Sequence, residues 1–114
     1  MKNELDEKMK QCIEDCSDCG RTCLETSSYC LNQGGDHAET EHINLLKDCA
    51  ETCKLSENLM LRASDHANDI CIICSEICDE CARSCEKVDP KDDQMIECAS
   101  ICRQCADSCR NMSS

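Results

Sequence analysis

The cysteines of this chain fall in runs with a helical period. The first run is Cys12, Cys16, Cys19, Cys23 and Cys30, spaced by 4, 3, 4 and 7 residues. Cys49 and Cys53 follow. Then come Cys71, Cys74, Cys78, Cys81 and Cys85, stepping by 3, 4, 3 and 4, and Cys98, Cys102, Cys105 and Cys109, stepping by 4, 3 and 4. Residues three and four apart lie on one face of an α-helix. Alternating steps of three and four mark the a and d positions of a heptad. Each of four segments therefore turns a stripe of thiols toward a shared axis, where Leu or Ile ordinarily packs. The chain has 16 cysteines in 114 residues, one tyrosine (Tyr29) and no Phe or Trp, so thiols must fill much of the interior.

Between the runs lie the signals that end helices. Gly34-Gly35 stops the first segment, because Gly adopts a left-handed C-cap conformation cheaply. Asp36 and Glu39 have capping-box spacing. Asp89-Pro90 offers an N-cap followed by a proline at the first helical position. Ser64-Asp65 is a weaker cap, and no Gly or Pro stands near it. One unbroken helix from His42 to Cys85 would run about 66 Å and outreach its neighbours, so a turn near residues 62–65 is expected. The sequence predicts helices over about residues 3–32, 37–62, 65–87 and 90–111, in one domain spanning 1–114. Short connections make neighbours antiparallel, which gives an all-α, up-down-up-down four-helix bundle with a cysteine-lined core. Leu45, Leu46, Leu59, Ile70, Ile73, Ile77, Ala99 and Ile101 flank the seam and are read as helix–helix contacts, with any excess available to a subunit interface.

The net charge is −12, from 12 basic and 24 acidic residues. That argues against a basic groove for nucleic acid and against docking on an anionic membrane. There is no apolar run long enough to span a bilayer. The acidic start lacks the basic-then-apolar pattern of a secretory leader, so a cytoplasmic location is expected. No Ser/His/Asp arrangement, glycine-rich phosphate loop or paired-carboxylate pocket stands out, and the chain is read as a non-enzyme.

A lone buried cysteine is a small hydrophobe. Sixteen in register call for another account, since leucine would bury more surface and resist oxidation. Disulfide scaffolds are loop-rich and belong to oxidising compartments. Zinc takes four ligands, usually from pairs on turns, and each Cys₄ site would bury a net charge of −2. An iron–sulfur cluster of the electron-transfer type needs four thiolates, which four facing helices could supply. Cu(I) fits this ladder best. It is soft, prefers thiolate and thioether, and accepts two or three ligands, so cysteines at i,i+3 or i,i+4 can clamp one ion and bridge to the next. If each sulfur bridges two ions and each ion takes two sulfurs, the chain holds about 16 Cu(I). Such a column is electrically neutral and releases protons as it loads. The alternatives left standing are an iron–sulfur electron carrier and a zinc or redox thiol buffer.

The runs Cys12–Cys23, Cys98–Cys109 and Cys71–Cys85 resemble the cysteine-rich four-helix-bundle copper storage proteins of bacteria, in their cytosolic branch. The resemblance covers about residues 5–112. It implies storage of many Cu(I) ions by core thiolates, for buffering, detoxification or supply, and a homo-oligomer, a tetramer by family likeness. Copper chaperones or small thiols are the partners such storage implies. The second helix departs from the pattern: its seam continues with Ser56 and Met60 in place of cysteines.

The seam also continues beyond the cysteines. Leu5 and Met9 precede Cys12, Met95 precedes Cys98, and Met112 follows Cys109. Met9, Met60 and Met112 are expected at one end, as a mouth where thioethers pass Cu(I) inward. Cys30, His42 and Met95 are expected at the other, with His42 a candidate terminal ligand. The ordinary reading of His42 is a solvated helix-end histidine. His37 and His66 are read as solvent-facing, and Asp36-His37 and Asp65-His66 as caps.

Overall fold

A computed structural model of the chain describes residues 6–113. Four helices, α1 (Glu7–Gln33), α2 (Thr40–Leu61), α3 (Ala67–Val88) and α4 (Asp93–Ser113), form an antiparallel up-down-up-down bundle. Each helix packs on the next around the ring, and α4 closes it on α1. The bundle measures 51 × 19 × 17 Å, so it is one long sheath of helices about a single axis. The expected architecture is the one observed.

The ends of the helices depart from the sequence reading in instructive ways. Asp6 caps α1 through its side chain, which accepts from the Met9 N–H at 2.8 Å. The expected start near Asn3, and Leu5 as a seam residue, lie outside the described residues. Gly34 stops α1 at φ 74°, as its type requires. The expected Asp36 capping box does not form. A 3₁₀ turn (Gly35–Ala38) takes up those residues, and α2 starts at Thr40 after an extended Glu39.

Between α2 and α3 the chain turns over residues 62–66 without any glycine. The Ser64 N–H reaches back to the Leu59 carbonyl at 2.9 Å, and the Ala63 N–H to Met60 at 3.1 Å. That pair of bonds is a Schellman motif, and Ala63 takes the left-handed place at φ 53°. Between α3 and α4 the expected N-cap at Asp89 with Pro90 as first helical residue is corrected. Asp89 ends α3, Pro90 and Lys91 form a turn, and the Asp92 side chain caps α4 through the Gln94 and Met95 N–H groups at 2.8 and 3.1 Å. Pro90 suits the second place of a turn as well as the first of a helix. The better-placed acceptor three residues on decides the matter.

Every cysteine is fully buried, and none forms a disulfide. Leu46 is also fully buried, in the seam and not beside it, whereas Ile73 is exposed. Outside the seam, Asp15 is buried between α1 and α4. It accepts from Gln11 and Gln104 at 3.1 Å each, and from the Ser108 hydroxyl. Arg103 grips Glu86, and Arg110 grips Asp79 at 2.7 Å, tying α4 to α3 on the surface.

Candidate metal centre

The heptad register stacks the inward residues in layers. From the α1 N-terminal end they run Met9/Met60/Ala67/Met112, then Cys12/Ser56/Cys71/Cys109, then Cys16/Cys53/Cys74/Cys105. Above these come Cys19/Cys49/Cys78/Cys102 and Cys23/Leu46/Cys81/Cys98. The last layer holds His42, Cys85 and Met95, with Cys30 beyond.

Sulfur touches sulfur through the ladder. Cys12 meets Cys109 at 3.7 Å, Cys109 meets Cys16 at 3.8 Å, and Cys16 meets Cys105 at 3.6 Å. Cys53 contacts Cys105 at 3.8 Å, Cys74 at 3.7 Å and Cys78 at 3.9 Å. Cys78 meets Cys49 at 3.6 Å, Cys49 meets Cys19 at 3.8 Å, and Cys102 touches both Cys19 and Cys23 at 3.7 Å. Cys23, Cys81, Cys98 and Cys102 have their sulfurs within 4.8 Å of one another. Three sulfurs about 4 Å apart leave a central ion about 2.3 Å from each, an ordinary metal–thiolate bond.

The groups overlap. Cys109 belongs both with Cys12 and Cys71 and with Cys16, Cys74 and Cys105. Cys19, Cys23, Cys102 and Cys105 are likewise each shared by two groups. A sulfur shared by two such groups is placed to bridge two ions.

Burial raises the pKa of these thiols, since a bare thiolate in an apolar core has no water around it. Cys30 is pushed up to about 11 by burial. Hydrogen bonds between thiols add to this, shifting individual members of the column in opposite directions. Cys23 and Cys53 are pushed up, first by their bonds with Cys102 and Cys105. Cys49 and Cys98 are pushed down, in both cases first by the bond from Cys102.

The two ends are built differently. At the methionine end Met60 is fully buried, its Sδ 3.9 Å from Cys71 Sγ, while Met9 and Met112 are half-buried against the core. At the other end Cys30 Sγ lies 3.5 Å from His42 Nε2 and 3.9 Å from Met95 Sδ. His42 is not the solvated histidine of the ordinary reading: it is 4% exposed, and Nδ1 is 2.7 Å from Ser84 Oγ. α1 and α3 close over the ring because its position, four before Leu46 and seven before Cys49, faces the seam. Burial pushes its pKa down, which keeps the imidazole neutral. A groove of about 700 Å³ between α2 and α3 reaches His42 and Ser84, flanked by Glu39, Glu41, Asp48 and Glu80.

His37 is also misplaced by the sequence reading. Its side chain is 16% exposed and faces Asp89 and Asp92 across the bundle end. Cross-loop contacts of this kind carry no sequence signal. His66 is exposed at the position just before α3, where its N–H bonds Ser64 Oγ at 3.1 Å.

A family model for copper storage proteins matches residues 5–114. The chain belongs to the copper storage protein family. A crystal structure of a Nitrosospira multiformis protein is 44% identical, covers 96% of this chain and 97% of its own, and superposes with a TM-score of 0.88. The Cu(I)-bound copper storage protein BsCsp3 is 33% identical, covers 95% of this chain and 100% of its own, with a TM-score of 0.87. Among curated proteins, the cysteine-rich protein YhjQ of Bacillus subtilis is 33% identical over 75% of this chain and 79% of its own length. As a family member the chain shares the four-helix bundle and the cysteine-rich core. Among the described residues, no helix is long and apolar enough to cross a membrane.

Proposed function

We propose that this chain stores Cu(I) in its core, with all 16 cysteines as ligands and about one ion per thiolate. The observation that carries the reading is the overlap of the sulfur groups. Bridging suits a low-coordinate soft ion whose charge each thiolate cancels. Separate tetrahedral zinc sites would need four unshared thiolates each. An iron–sulfur cluster needs room for its own iron and sulfide between ligands, and these sulfurs already touch. Cys30, His42 and Met95 form a terminal soft site at one end. Met9, Met60 and Met112 form the mouth at the other, because thioethers hold Cu(I) more loosely than thiolates and pass it on.

The chain acts as a buffer, with its thiolates as ligands that turn over no substrate. Its setting is a reducing cytoplasm, since thiols 3.6 Å apart would cross-link where oxidants prevail. Copper chaperones or small thiols deliver and collect the ion. Exposed Leu24, Leu31, Ile72, Ile73 and Ile96 supply apolar surface for a homo-oligomer, for which the family resemblance implies a tetramer.

An anaerobic Cu(I) titration of the reduced protein against a coloured Cu(I) chelator tests the reading. The protein is expected to withhold copper until about 16 equivalents are bound. Saturation at one or two equivalents would overturn it.

A further inference from the structure

We propose that His37, Asp89 and Asp92 form a second metal site, separate from the sulfur core, for a borderline divalent cation of the zinc type. His37 sits in the 3₁₀ turn between α1 and α2. Asp89 and Asp92 bracket the turn between α3 and α4. His37 Nε2 is buried and makes no hydrogen bond. It stands 3.7 Å from Asp92 Oδ2 and 3.9 Å from Asp89 Oδ2. A buried ring nitrogen left unpaired is costly, and an ion placed before it would satisfy that nitrogen and both carboxylates together.

The carboxylates are already oriented for this. Asp89 Oδ1 accepts the Lys91 N–H at 3.1 Å, and Asp92 Oδ1 accepts from Gln94 and Met95. In both residues Oδ2 is the atom left facing His37. The Tyr29 hydroxyl donates to Asp92 Oδ2 at 2.6 Å, and its ring meets the His37 ring edge-on at 6.2 Å. Carboxylate ligands steadied by hydrogen-bond donors are the usual outer shell of a metal site.

One imidazole nitrogen with two carboxylate oxygens suits zinc and is poor for Cu(I). Tetrahedral zinc with bonds of about 2.1 Å would hold nitrogen and oxygen about 3.4 Å apart. The cluster is a few tenths of an ångström wider, which a slight closure of the two loops removes. Water completes the coordination. The ion would join the α1–α2 connection to the α3–α4 connection. Because Asp92 caps the helix at Met95, and Met95 touches Cys30, it would also stiffen the terminal layer of the ladder.

The test uses protein first saturated with Cu(I), so that the thiols are occupied. Zn²⁺ is then titrated by calorimetry, and the histidine ring signals are followed by NMR. About one Zn²⁺ is expected to bind, by the count of one donor set, shifting His37 and leaving His66 unmoved. Tyr29→Phe should weaken it about 10–100-fold as an outer-shell loss. His37→Ala and Asp89→Asn should abolish it while Cu(I) capacity stays unchanged, which separates this site from the storage reading. Three results would overturn the proposal: no Zn²⁺ uptake, equal uptake by His37→Ala, or a His37 that only titrates against the aspartates with no response to Zn²⁺.

Discussion

Ser56 follows Cys53 by one turn of α2, yet the two side chains meet opposite fates in the same seam. Cys53 Sγ touches Cys74, Cys78 and Cys105. Ser56 Oγ is fully buried and has no hydrogen-bond partner. By register it fills the fourth place in the layer of Cys12, Cys71 and Cys109, so that layer is one sulfur short. Ser56→Cys should complete it and raise the Cu(I) capacity by about one ion, on the one-per-thiolate count. Ser56→Ala should leave capacity alone and stabilise the apoprotein by about 1 kcal/mol, because an orphan hydroxyl is removed. Chelator-competition titrations and denaturant melts read the two effects.

The thiols make the apoprotein sensitive to alkali. Burial raises Cys30 from 9.0 to about 11. The folded state therefore keeps a proton that the unfolded chain has released. The stability it contributes is full below pH 9.0 and lost as pH rises through about 11. Anaerobic denaturant titrations across the alkaline range should show the apoprotein weakening over this window. The Cu(I)-loaded protein, whose thiols have already lost their protons, should not follow it.

Asp15 seals the α1–α4 seam as the shared acceptor for Gln11, Gln104 and Ser108. Asp15→Ala leaves the half-buried Ser108 hydroxyl without its acceptor and releases the exposed Gln11 and Gln104 amides to water. It should lower the stability of the apoprotein by about 1 kcal/mol, seen as a lower denaturation midpoint, with the Cu(I) stoichiometry preserved.

Ala63 bears the left-handed position of the α2–α3 turn at φ 53°. That conformation costs a residue with a Cβ about 1–2 kcal/mol, and glycine much less. After the greater freedom of glycine in the unfolded chain is subtracted, Ala63→Gly should stabilise the protein by about 0.5–1 kcal/mol. A thermal melt of the apoprotein decides it.

How far the sequence reached follows from the same residues. The seam was legible because a helix repeats every 3.6 residues, so the spacing of Cys71 to Cys85 alone orients α3. The same arithmetic places Ser56 among the sulfurs, whereas Leu46, expected beside the seam, is packed inside it. Helix ends were less legible, because several residues compete to make them. Asp89 and Asp92 both offer caps beside Pro90, and the geometry of the turn chooses Asp92. At Ala63 the chain turns with no glycine or proline, since two backbone hydrogen bonds impose the conformation. The local sequence points His37 to solvent because its partners, Asp89, Asp92 and Tyr29, come from other parts of the chain. Long-range pairing of that kind leaves no local pattern.

The methionine end gives the sharpest test of how copper reaches the ladder. Met60 Sδ is 3.9 Å from Cys71 Sγ, so a Cu(I) ion held there can exchange a thioether for a thiolate without leaving the protein. Met9 and Met112 lie half-buried in the same layer, between solvent and the first sulfurs. Changing Met9, Met60 and Met112 together to Leu keeps the apolar packing but removes the soft donors. Loading should slow about tenfold, one decade of rate for about 1.4 kcal/mol of lost intermediate binding, while the final capacity is unchanged. His42→Ala acts at the far end. It should leave the loading rate intact and loosen only the ion held with Cys30 and Met95. Stopped-flow loading from a Cu(I)–chelator complex separates the two variants. If the triple methionine variant loads at the rate of the parent and His42→Ala is the slow one, copper enters beside His42, through the acidic groove between α2 and α3.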